Sequence, residues 1–105
     1  MPNRWNIPES LEREVIARDK ACVYCSVRFV ANGAVRRERA SWEHIVNDAR
    51  IVTRENIALC CVGCNASKGA KDLELWLGSN YCRAWGIAPE AAAPVVRDAI
   101  RERPR

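Results

Sequence analysis

Two Cys-x-x-Cys pairs most strongly constrain what this chain can fold into. Cys22 and Cys25 form the first pair, and Cys61 and Cys64 form the second. Each pair presents two thiolates at one apex, and four thiolates complete the tetrahedral shell of a zinc ion. Such a shell leaves no open position for water, so we expect the zinc to be structural.

The two pairs lie far apart in the sequence. They are separated by 35 residues, well beyond the roughly 15 to 20 residues of a simple zinc ribbon. A sizeable structural unit is therefore expected between the pairs, tied to the metal at both ends. We expect the chemistry of the protein to lie within it.

Other roles are open to the six cysteines. Disulfides are one alternative, but the opening MPNRWNIPES lacks the apolar run of a signal peptide, and no later stretch approaches the ~20 apolar residues of a membrane span. We therefore expect a cytoplasmic protein with reduced thiols. Cys60 could replace Cys61 as a ligand, but only Cys61 has the two-residue gap to Cys64. We interpret Cys60 and Cys82 as buried free thiols.

The length and the net charge of the chain limit its domain organisation and its possible partners. A chain of 105 residues is expected to form a single domain over 1–105, and a core this small is often supplemented by a structural metal. The net charge is +4, from 17 Lys and Arg against 13 Asp and Glu. This excess favours a polyanionic partner, although an ordinary basic soluble domain is equally compatible with it.

Hydrophobic periodicity predicts helices on both sides of a core over about 18–71. Leu11, Val15 and Ile16 share one face of a helix over about residues 9–18. On the C-terminal side, helices are predicted over about 72–103, one from Asp72 to Leu77 and one from Pro94 to Arg103. The pattern is that of a small α+β fold.

Within the core, two strands and a short helical turn are predicted. The strands are Ser41–Val46 and Ile57–Cys60, and the turn runs from Asn65 through Lys68. Neighbouring side chains on a strand point to opposite faces. Glu43 and His44 can therefore serve one site only if the strand ends or bends there.

Four residues of this core suit metal-assisted hydrolysis of a nucleic-acid phosphodiester. Glu43 and Asn65 offer hard oxygen ligands for a divalent cation, and His44 can accept a proton from water. Asn56 offers a second amide to brace the imidazole. His44 is the only histidine in the sequence. Each residue has an alternative role without catalysis. His44 would be a surface or core histidine with its hydrogen bonds satisfied, and Glu43 a solvated carboxylate on the strand. Asn65 would be only a helix N-cap, and Asn56 a simple turn residue.

The segments CVYC, WEHIV and RENIALCCVGCNASKG together resemble the HNH endonuclease family in its zinc-knuckle form, over about residues 18–71. The resemblance implies a ββα-metal, or His-Me finger, core with His44 as general base. It also implies that Glu43 and Asn65 bind a catalytic magnesium, manganese or similar divalent ion, that Asn56 holds the loop and His44, and that Lys68 contacts a backbone phosphate. The family more often has Asp at the position of Glu43, and the Pro and Gly usual in the following loop are missing.

The resemblance implies cleavage of DNA to 5′-phosphate and 3′-hydroxyl ends. One such site cuts one strand, so double-strand cleavage would need a homodimer or two separate events, and a partner protein could supply specificity. Phosphate contacts are expected from Arg36, Arg37, Arg50 and Arg54, although a solvated face explains them equally well. The competing hypotheses are a zinc-stabilised nucleic-acid-binding module without catalysis and a zinc-held protein-interaction domain.

Overall fold

The computed structural model describes residues 5–102. They form α1 (Glu9–Arg18), β1 (Ala40–His44), β2 (Ile57–Cys61), α2 (Val62–Lys68), α3 (Leu73–Leu77), α4 (Asn80–Ala84) and α5 (Pro94–Arg101), with 3-10 turns at Arg36–Glu38 and Pro89–Ala91. The fold of the described residues is therefore α+β, as predicted.

The two strands form an antiparallel hairpin that leads directly into a helix. The register runs from Ala40 opposite Cys61 to His44 opposite Ile57. The first strand ends two residues earlier than predicted, because the backbone N–H and C=O of Val46 bond to the Asn56 side chain instead of to β2. The next residue after β2 begins α2, so the chain order is strand, strand, helix.

The sheet separates two apolar clusters. Trp42, Ile57 and Leu59 project from one face and pack with Val15 of α1 and with Ile7. The opposite face contributes to a larger cluster that includes residues of α3, α4 and α5 as well as the cysteine pairs. Because both faces are covered, Glu43 and His44 of β1 are buried along with Trp42.

A buried carboxylate ties the end of α1 to β2. Asp19 accepts a hydrogen bond from the backbone N–H of Leu59 at 3.0 Å and a salt bridge from Arg18 at 2.7 Å. The Arg18 guanidinium also donates to the carbonyl of Ile57 at 2.8 Å. These contacts fix the helix against the start of the second strand, opposite His44.

The C-terminal region contains one more helix than predicted. Its α4 begins after Ser79, whose hydroxyl accepts from the N–H of Cys82, and α3 is capped by Asp72 in the same way. The last helix begins at Pro94 as predicted, whereas its predicted end at Arg103 lies outside the described residues. Within residues 5–102, no helix has the length and apolar character needed to cross a membrane.

Candidate functional site

The four cysteines of the two pairs converge. Their sulfur atoms all lie within 4.8 Å of one another, which is close enough to hold a structural metal ion such as zinc. Three of them are buried and Cys25 is half-buried. All six cysteines are free, which removes the disulfide alternative in this structure.

Backbone N–H groups orient the two pairs. The N–H of Cys25 donates to Cys22 Sγ at 3.4 Å, and the N–H of Cys64 donates to Cys61 Sγ at 3.3 Å. The second contact also makes Cys61 the N-cap of α2. The helix therefore begins at Val62, three residues before the predicted turn, and the N-cap alternative for Asn65 is wrong.

The two remaining cysteines lie apart from the cluster. Cys60 and Cys82 are both buried, as interpreted from the sequence. The Cys60 thiol contacts the Ser41 hydroxyl at 3.8 Å, on the face of the sheet towards α2. Cys61 is therefore the ligand candidate of the Cys60–Cys61 pair.

Residues that sequence reasoning missed surround the cysteine cluster. The Tyr81 hydroxyl donates to Cys64 Sγ at 3.4 Å, and Arg37 donates to the same hydroxyl at 2.8 Å. The Arg37 guanidinium also lies over the ring of Trp85, 3.3 Å from its centroid. Burial and the Cys64 contact raise the pKa of Tyr81, so the hydroxyl stays protonated as a donor. Arg37, predicted to contact phosphate, is held here instead.

His44 is the last residue of β1. The residue is only 7% exposed and its ring packs edge-on against Trp5, with 5.0 Å between centroids. Among residues 5–102, the buried Nε2 atom has no hydrogen-bond partner. Burial, and to a lesser degree the Lys68 ammonium, lower the pKa of His44, so its imidazole is neutral at neutral pH.

Asn56 fastens the loop that follows His44. Its Oδ1 accepts from the N–H of Val46 at 2.7 Å, and its Nδ2 donates to the carbonyls of Val46 and Ile51 at 3.2 and 3.1 Å. Its own backbone carbonyl accepts from Ile45 at 2.9 Å. These hydrogen bonds hold the backbone of the loop and do not reach the His44 ring, so the bracing of the imidazole by Asn56 stays a prediction.

Glu43 lies in the interior with two partners. Its Oε2 accepts from the Tyr24 hydroxyl at 2.5 Å and lies 3.0 Å from Lys68 Nζ. Burial raises the pKa of Glu43, while Lys68 and Tyr24 oppose that rise. The Lys68 side chain is 1% exposed. The implied phosphate contact of Lys68 is therefore corrected, because the buried carboxylate needs the ammonium as its counter-charge.

Asn65 lies over the same face of the sheet as Glu43. Its Nδ2 donates to Ser41 Oγ at 2.9 Å and to the Trp42 carbonyl at 3.0 Å. Ser41 and Glu43 share a face because they are two residues apart on one strand. The structure thus places Glu43 and Asn65 on the α2 side of β1 and the His44 ring on the other side, at the point where the strand ends.

A hard cation at Glu43 and Asn65 would need side-chain oxygen atoms that do not take part in the hydrogen bonds described above. They are Oε1 of Glu43 and Oδ1 of Asn65, which are both ligand types that magnesium and manganese accept. Among the described residues, the four cysteines are the only group of three or more His, Cys, Asp or Glu side chains close enough to share a metal. Glu43 is therefore not part of such a group among the described residues.

Three of the predicted phosphate-binding arginines lie at the surface. Arg50 and Arg54 belong to the loop after His44 and are paired with Asp48 and Glu14 at 2.9 and 3.0 Å. Arg36 is exposed in the 3-10 turn before β1. Exposed ion pairs of this kind are weak and can exchange for a phosphate.

Comparison of the chain with models of protein families, with curated proteins and with solved structures finds no match.

Proposed function

We propose that this protein is a metal-dependent endonuclease that hydrolyses DNA phosphodiester bonds and whose β1, β2 and α2 form a ββα-metal core. The observation that carries the proposal is the placement of His44. The lowered pKa of His44 favours the neutral imidazole, its Nε2 has no partner in the described part of the chain, and it lies where β1 ends. A residue in that state can accept a proton.

In this proposal His44 removes a proton from the water that attacks phosphorus. Proton transfer to a positioned base is typically worth 10²–10⁴-fold in rate. The hydrogen bonds of Asn56 to Val46 and Ile51 limit the movement of the backbone just beyond His44. Asn56 is therefore a positioning residue, since it acts through the backbone and not on the substrate.

Two metal ions of different kinds are proposed. The four thiolates suit a structural zinc, while Glu43 and Asn65 would hold a magnesium or manganese ion. When bound, that ion supplies neutralisation of the charge that develops on the phosphate. The products would be 5′-phosphate and 3′-hydroxyl ends.

The surface arginines are proposed to hold the DNA backbone. Arg50 and Arg54 belong to the loop that follows His44, and Arg36 precedes β1. A site of this kind cuts one strand, so the expected product is a nick. Double-strand cleavage would require a second copy of the chain or a second cleavage event.

A zinc-stabilised nucleic-acid-binding module without catalysis is the second candidate. Two observations favour it: Trp5 covers His44, and Lys68 occupies Oε2 of Glu43. This candidate needs the cysteine cluster and the surface arginines but not the imidazole. Substitution of His44 by alanine, with cleavage and DNA binding measured side by side, therefore separates the two, because only the nuclease loses its activity.

A further inference from the structure

We propose that Lys68 is an internal counter-ion of Glu43 which a divalent cation must displace in order to bind. The inference rests on the proposed function, because it takes Glu43 as a ligand of the catalytic ion. It goes further by identifying a competitor for that ligand within the chain. The protein would then be held in a metal-free state until the divalent ion is abundant.

The geometry places the ammonium where a cation is expected. Lys68 Nζ lies 3.0 Å from Glu43 Oε2 and donates to the backbone carbonyl of His44 at 3.4 Å. Both contacts are to oxygen atoms of the two neighbouring residues proposed for metal binding and catalysis. The ammonium is thus already bound to hard oxygen atoms at the end of β1.

Burial makes this pairing exclusive. The side chains of Lys68 and Glu43 are 1% and 6% exposed, so water screens neither charge. Tyr24 donates a further hydrogen bond to the same Oε2 atom, so this oxygen already has two partners without a metal. A divalent ion at this carboxylate would lie close to an ammonium in a poorly screened interior, and the two positive charges would repel.

The position of Lys68 allows it to leave. It is the last residue of α2, and Gly69 follows with a positive φ of 51°. Residues 69–71 are exposed. A long, unbranched lysine side chain at the end of a helix can therefore reach solvent through a rotamer change, without the unfolding of α2.

Direct metal binding tests the competition. Mn²⁺ affinity is measured by electron paramagnetic resonance on the zinc-loaded protein, for wild type, Lys68→Met, Lys71→Met and the double variant Glu43→Gln/Lys68→Met. We expect Lys68→Met to bind Mn²⁺ about tenfold or more tightly than wild type, because a like charge has been removed beside the ligand. Lys71→Met removes the same charge from an exposed site and should match wild type, and the double variant should lose the gain. An affinity of Lys68→Met equal to or below that of wild type overturns the proposal.

Removal of Lys68 leaves a buried carboxylate without its partner, so the variant can fail to fold. A second measurement therefore uses the wild-type protein. The chain has three lysines, Lys20, Lys68 and Lys71, and acylation of each is followed by mass spectrometry. We expect Lys68 to be protected without Mn²⁺ and to become acylated as Mn²⁺ is added, while Lys20 and Lys71 react throughout. Protection of Lys68 at every Mn²⁺ concentration tried overturns the proposal.

Neither measurement depends on cleavage. If Mn²⁺ displaces Lys68 in the wild-type protein but the protein never nicks DNA, the proposed nuclease function is wrong and the role of Lys68 as internal counter-ion stands. If the wild-type protein nicks DNA with Mn²⁺ while Lys68 stays protected, the nuclease function stands and the role of Lys68 as internal counter-ion is wrong.

Discussion

The side-chain oxygen of Asn56 lies 2.7 Å from the backbone nitrogen of Val46, two residues beyond His44. The Nδ2 of the same amide donates to two carbonyls of this loop. One buried side chain therefore ends the first strand and shapes the loop behind the proposed base.

Replacing Asn56 with Asp keeps the shape of this side chain but turns its donor into an acceptor. The carbonyls of two residues then lose their hydrogen-bond donor, so we expect the free energy of unfolding to fall by about 1–3 kcal/mol. Nicking should slow as well, because the end of β1 is less well fixed. Asn47→Asp, in an exposed residue of the same loop, is the control. Denaturant unfolding checks the prediction, and a variant as stable as wild type would contradict it.

The Tyr81 hydroxyl is expected to strengthen zinc binding through Cys64. Loss of an outer hydrogen bond to a metal ligand typically costs 10–100-fold in affinity, and we expect Tyr81→Phe to release zinc to a chelator correspondingly more readily. Tyr24→Phe removes a hydroxyl that bonds to Glu43 instead. Equal zinc release by the two variants would show that the contact of Tyr81 with Cys64 has no special effect.

The pH dependence should reflect the lowered pKa of His44. The rate of nicking should rise with pH through a midpoint below the ordinary histidine value of ~6.5, because only the neutral imidazole accepts a proton. Stability should change in the same direction. Between the folded and unfolded pKa values the unfolded chain binds more protons, so the free energy of unfolding falls as pH drops below ~6.5.

A pH series of nicking rates and denaturant midpoints tests both statements, with His44→Gln as the control that should lose the histidine contribution to stability. An activity midpoint above the ordinary histidine value would assign the proton transfer to another group.

Local patterns in the sequence predicted much of this structure. The cysteine cluster was predictable because the two-residue gaps of Cys22–Cys25 and Cys61–Cys64 fix the geometry within each pair. The first helix was predicted with the bounds Glu9–Arg18 that the structure shows. Pro8 and the spacing of Leu11 and Val15 are local signals that need no tertiary contact.

The interactions that sequence analysis missed are between residues far apart in the chain. The α4 helix spans five residues, too few for a periodic apolar pattern, so Tyr81 could not be placed beside Cys64. The family resemblance implied a phosphate contact for Lys68, and lysine is in general rarely buried. The burial of Lys68 in α2 depends on its ion pair with Glu43, which lies 25 residues earlier in β1.

The nicking of supercoiled plasmid by wild type and by His44→Ala is the decisive test of whether this protein is a nuclease with His44 as its base. Both proteins are assayed with magnesium, with manganese and with EDTA, and their zinc content and DNA binding are measured in the same samples. We expect wild type to nick only with a divalent ion, and His44→Ala to lose about 10²–10⁴-fold in rate while it keeps zinc and DNA binding. Equal nicking by the two proteins, or no nicking by a zinc-loaded wild type that binds DNA, would contradict this expectation.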